Sequence, residues 1–152
     1  MRTLHCFLIF ISIMVSLSCS RSGLEKMKEE CSAGIKDVRV ERADLFGVLI
    51  QVDVVISNPT PNTATIRRVD YDVYVEDKLV DTHSRDEYIE LIKGGNTPLT
   101  VPINLSYQSI EHIRPDATGQ RTVNLRIEGS IIMSRGMGKI AIDFDFEGPV
   151  VL

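Results

Sequence analysis

After Cys31 the chain contains no cysteine, although it runs on to Leu152. A body without thiols has no disulfide framework and no thiolate zinc site, so its stability must come from core packing. Histidine is scarce as well. Beyond His5 there are only His83 and His112, far apart in sequence, and no metal-ligand spacing can be built from them. A phosphate loop is missing, because Gly136-Met137-Gly138-Lys139 lacks both the earlier glycine and the following hydroxyl residue. No Gly-x-Ser-x-Gly elbow occurs. Lys and Arg number 17 against 21 Asp and Glu, a net charge of -4, which argues against a nucleic-acid-binding surface. No block of like charge is long enough to form a disordered tail. The apolar run from Cys6 to Val15 falls short of the about 20 residues that a membrane span needs. What remains is a composition of 152 residues, 43% hydrophobic, suited to one folded domain with a sizeable core.

What is present is strand periodicity. In Gly47 to Val75, Val48, Ile50, Val52, Val54 and Ile56 share one parity, and Gln51, Asp53 and Ser57 the other. A corner on Asn58, Pro59, Pro61 and Asn62 follows, because Asn side chains bond to nearby backbone and Pro fixes φ. Val69, Tyr71, Val73 and Val75 then point one way, and Arg68, Asp70, Asp72 and Tyr74 the other. Around this pair the spacing predicts an edge strand at Ile35 to Ala43, a return strand at Leu79 to Thr82 and a brief one at Tyr88 to Ile92, with Ser84 to Glu87 as a charged connection. Longer strands are predicted at Thr97 to Tyr107, Arg121 to Met133 and Ile140 to Phe146. Ile110 and Ile113 suit a short helical turn ended by Pro115. Pro102 demands a free side or a bulge, and Gly129 a bulge or a close approach. The pattern predicts an all-β sandwich of about seven or eight antiparallel strands, because each long strand keeps one polar face. Aspartate at Val54 or Ile127 is expected to unfold it, since each inward residue contributes roughly 1.5 to 3 kcal/mol.

The acidic sets Asp70, Asp72, Glu76 and Asp143, Asp145, Glu147 have the residue types of a calcium or acid-base site. On strands, however, an outward i, i+2 set is what solubility already demands, and the solvated-face reading is preferred. No catalytic residue, metal site or cofactor is assigned.

The N-terminus carries a different signal. Arg2, the apolar core and the small residues Ser16 and Ser18 before Cys19 have the layout of a signal peptide over residues 1–18. Ending on Cys19, this resembles bacterial lipoproteins, in which that cysteine receives a diacylglycerol; here Leu17 stands one place later than the usual leucine. Ordinary cleavage is the other reading, and it leaves Cys19 free to pair with Cys31. Residues 19–34 are polar and read as a tether that can hold a frayed helical turn, with Cys31 as an incidental thiol. The domain is placed at 35–152.

Several pieces together resemble the late embryogenesis abundant group 2 proteins, also described as the water stress and hypersensitive response domain. They are VLIQVDVVISNPTPNTATI with Asn58-Pro59, VDYDVYVEDKLV at Val69 to Val80, the Gly94-Gly95 turn before Leu99 to Tyr107, and LRIEGSI at Leu125 to Ile131. Asn58 and Pro59 match the family's Asn-Pro position, while Thr60, Pro61 and Asn62 depart from its usual continuation. The resemblance implies an immunoglobulin-like or fibronectin III-like sandwich without catalytic residues or cofactor. It also implies a stress-protective role in dehydration, cold or oxidative stress. Membrane attachment through lipid on Cys19 in a bacterial cell envelope, facing the periplasm or exterior, client proteins as partners, and a monomer complete the expectation. A recognition module for an envelope protein or polymer is the alternative.

Overall fold

The computed structural model describes residues 23–114, 117 and 119–152. The signal peptide, Cys19 and Pro115 lie outside the described residues.

Period two governs the chain from the strand Gly47–Asn58 outward. There every even position from Val48 to Asn58 is buried and every odd one is half exposed. Among the described residues seven strands form: β1 (Ser32–Asp44), β2 (Gly47–Asn58), β3 (Thr65–Val75), β4 (Lys78–Glu90), β5 (Gly95–Ser106), β6 (Thr122–Arg135) and β7 (Gly138–Val151). All ladders are antiparallel, in a three-stranded sheet ordered β1-β2-β5 and a four-stranded sheet ordered β4-β3-β6-β7. The inward sets of both sheets make one core, in which Val54 and Ile127 are 0% and 1% exposed. Tyr71 of β3 crosses that core, and its hydroxyl donates to Pro102 O of β5 at 3.0 Å, joining the two sheets.

The punctuation follows the expected chemistry. Pro102 lies on β5, which has a partner on one side only. Gly94 takes φ of 59° in the turn before β5. Gly129 marks a close approach: a Cβ there would meet Phe144 Cζ at 2.4 Å and Asp70 O at 2.8 Å, and the ladders continue through it without a shift. The short helix α2 (Tyr107–Ile110) buries Ile110 against the end of the core.

Two expectations need correction. Leu79 to Thr82 and Tyr88 to Ile92 do not form two strands, because the charged link between them is the middle of a single β4. An edge strand bonded on one side tolerates charge, and Ser84 and Thr82 there donate to Asp70 and Asp72 of β3 at 2.6 and 2.7 Å. The polar tether is also shorter than expected. Residues 23–30 form a helix, α1, and Ser32 already belongs to β1. Leu24, Met27 and Cys31, spaced i, i+3, i+7, make an apolar stripe among charges, and Met27 is completely buried.

Candidate functional site

Asn58 and Pro59, singled out in the sequence, lie at the end of β2, where the chain crosses between sheets. Asn58 falls on the inward parity of its strand and is 0% exposed, so its amide must find every partner inside the protein. Its Oδ1 accepts from Thr60 N at 3.2 Å, from Thr60 Oγ1 at 2.7 Å and from Cys31 Sγ at 3.4 Å. Its Nδ2 donates to Asn62 O at 2.9 Å and Ile92 O at 3.3 Å. The loop before β5 is held by the same knot: Gly94 N donates to Thr60 O, Leu91 N to Ala64 O, and Ile92 N to Thr97 Oγ1. Thr60 and Thr97 are the other buried polar side chains of the described residues.

This arrangement uses the whole hydrogen-bonding capacity of the Asn58 amide. Nothing is left over for a ligand, and the corner acts by fixing how α1, the β2–β3 crossing and the β4–β5 loop meet. Sequence reading placed the corner correctly but missed that Asn58 is its buried centre. The signal was available, because Asn58 continues the series Val48 to Ile56. Cys31, read as incidental, is a free buried thiol in contact with the same amide. Burial pushes its pKa up, and Glu30 adds to the effect, so the thiolate is disfavoured.

The two acidic sets come together on the outer face of the four-stranded sheet. The ladders align Asp70 with Ser130 and Asp143, and Asp72 with Glu128 and Asp145, so carboxylates of three strands share one surface. A cleft of about 650 Å³ opens over them. The carboxylates of β3 and of Glu128 are engaged: Asp70 takes Ser84 Oγ and the Arg68 guanidinium, Asp72 takes Thr82, and Glu128 pairs with Arg126, whereas Asp143 and Asp145 carry no such partner among the described residues. Among the described residues no three His, Cys, Asp or Glu are arranged to hold a metal ion. His83 lies at the sheet's edge, with Nε2 2.8 Å from Asp81 Oδ2 and its ring 5.4 Å from that of Tyr71. The Tyr71 hydroxyl is pushed up by burial and by Asp81, with Arg85 opposing.

Known proteins place this architecture. The chain is 24% identical over 144 residues to the uncharacterised protein MJ1138 of Methanocaldococcus jannaschii, across 92% of this chain and 79% of the other. The solution structure of At2g46140.1, described as late embryogenesis abundant, aligns with a TM-score of 0.68 at 18% identity, covering 95% of this chain and 86% of that one. AT1g01470 from Arabidopsis thaliana aligns with a TM-score of 0.65 at 14% identity, over 79% and 80%. A protein from Archaeoglobus fulgidus gives 0.57 at 13%, over 76% and 94%. At these identities the structures speak for the fold alone. The family model for late embryogenesis abundant protein matches residues 53–148, from the middle of β2 to near the end of β7. With most of its two-sheet body inside that match, the chain belongs to the late embryogenesis abundant proteins of group 2.

Proposed function

We propose that this is a non-enzymatic, exported stress-protection protein, held to a membrane by lipid on Cys19, which shields proteins or membranes from dehydration or aggregation. Membership of the family across residues 53–148 carries the reading. The exported and anchored parts rest on the signal-like start and on Ser16-Leu17-Ser18-Cys19. The fully engaged Asn58 corner supports a structural role for the residues that the family motif picks out. The finer fold type we propose is fibronectin III-like. β4 pairs with β3, whereas a constant-type immunoglobulin arrangement would put the fourth strand on the sheet of the first, second and fifth.

Drying or freezing a labile test enzyme with and without the full chain tests the protective activity. Retained enzyme activity without sequence-specific binding to that enzyme is expected, and loss equal to that with an inert protein would overturn it. Intact mass of membrane-extracted protein checks the anchor: no acyl mass on Cys19 removes it. A recognition module remains the second reading because Leu45 and Phe46, at the β1–β2 turn, are 93% and 89% exposed. A single stoichiometric partner in a pull-down from envelope extracts, lost in Phe46→Ser, would favour it.

A further inference from the structure

Basic charge collects at one end of the sandwich, beside the point where the described chain begins. A register shift between Ile66 and Arg68 leaves Arg67 without a ladder partner on either side of β3. Two successive arginines are thereby exposed, where regular alternation would have turned one inward. Arg67 Nε donates to Ser134 Oγ at 2.8 Å, and its guanidinium stands 5.3 Å from the ring of Tyr88, itself 74% exposed. Lys139 is the ladder partner of Ser134 and lines the same cleft, of about 450 Å³, whose one acidic lining residue among those described is Asp86. Arg68 is paired with Asp70, but among the described residues Arg67, Arg135 and Lys139 have no carboxylate within ion-pair distance.

The hairpin turn between β6 and β7 projects from this same end and presents Met137 fully to solvent. α1 packs against that hairpin, with Gly23 on the Arg135 guanidinium and Leu24 on Gly138. Residues preceding Gly23 therefore join the domain next to the basic cluster. Cys19 stands four positions earlier, a reach of at most about 14 Å. At the basic end Glu90 shares the ladder row of Ser134 and Lys139, and farther along the same sheet face the carboxylates gather as Asp70, Asp72, Glu128, Asp143 and Asp145. From Arg68 to Asp72 is roughly 13 Å along the strand. An anionic surface would thus attract the basic end of this sheet face and repel its acidic stretch.

We propose that Arg67, Arg68, Arg135 and Lys139, around Met137, form a docking surface for an anionic lipid bilayer, with the long axis of the strands raised from the membrane. The proposal rests on the anchored reading only for the direction of approach. The guanidinium groups suit lipid phosphates, whose oxygens match their fork of donors, and the Met137 thioether suits the boundary of the acyl region.

The test is co-sedimentation of the full chain with vesicles of phosphatidylcholine alone and of phosphatidylcholine mixed with phosphatidylglycerol. Any binding by the N-terminal apolar segment is common to both vesicle types, so their ratio isolates the electrostatic part. The ratio is expected to favour the anionic vesicles, to fall with salt, and to drop roughly 25-fold in Arg67→Gln/Lys139→Gln, since each basic residue near an anionic surface contributes about a factor of five. The control Lys78→Gln/Arg121→Gln removes the same charge at the opposite end and should leave the ratio near that of the parent. An equal ratio in parent and Arg67→Gln/Lys139→Gln, or an equal drop in the control, overturns the surface. If Cys19 carries no acyl mass while the anionic preference persists, the anchor falls and the docking surface stands.

Discussion

Asn58 occupies a position where β2, by its own periodicity, should hold another valine. The strand accepts a buried amide there because five hydrogen bonds replace the water it loses, two of them from Thr60 and the others tying in Cys31, Asn62 and Ile92. Asn58→Ala is expected to lower stability by about 3 kcal/mol in urea denaturation, as Thr60 and the carbonyls of Asn62 and Ile92 lose their buried partner. Asn58→Asp keeps the shape and the accepting oxygen, yet should cost at least as much. It turns both donors into an oxygen facing two carbonyl oxygens, and buries a charge. A neutral Asn58→Asp would show that the amide is not oriented as described. Cys31 behaves as part of the same knot. Its raised pKa and burial predict that iodoacetamide labels it only on unfolding, as read by peptide mass before and after urea. Labelling at the same rate in both states would contradict its place beside Asn58.

Strands wrapped on both sides announce themselves most clearly. β2, β3 and β6 lie between neighbours, and their inward and outward sets were read correctly from alternation alone. β4 was not, because nothing on its outer edge demands alternation and two register shifts break it, one of them setting Val80 outside the ladder. α1 was missed for the opposite reason: its apolar stripe is short and sits among five charged residues of both signs. The corner was legible as a turn and its burial in the parity of β2, while the bonds from Asn58 to Ile92 and Cys31 span 34 and 27 positions and had no local trace. Tight turns carry a separate strain. Glu76 and Asp77 close the β3–β4 hairpin with φ of 50° and 63°, a two-residue turn that favours Asn-Gly. Asp77→Gly should therefore raise stability by about 1 kcal/mol in thermal melting. The Asp77 contact with Arg126, 3.8 Å long with Asp77 82% exposed, contributes little against that gain. Gly129→Ala should act the other way, by roughly 1 to 3 kcal/mol, because the Phe144 ring and the Asp70 carbonyl occupy the space a methyl needs. Phe144→Leu in the same chain should recover only part of the loss, as the backbone contact stays.

A two-sheet sandwich leaves four edge strands, and the way each is managed determines whether the molecule stays single. β1 and β7 lie against one another along one side, so neither edge there is fully open. On the other side β5 carries Pro98 and Pro102, whose missing donors fall on the same side of the strand. β4 has no proline, and its protection is of another kind. Asp81, His83 and Arg85 are ladder partners of Val73, Tyr71 and Val69, which places three polar groups on the core-facing parity of an edge. A second copy added along β4 would have to cover those groups, and the two register shifts bend the strand away from a straight pairing line. The parent chain is therefore expected to sediment as a monomer at equilibrium. Asp81→Val/Arg85→Val restores apolar alternation across the middle of the edge and should convert it to dimers or larger species at the same concentration, with little change in far-UV circular dichroism. Should the double variant remain as monomeric as the parent, inward charge is not what keeps this edge apart, and Val80 and its bulge would be the next substitution to examine.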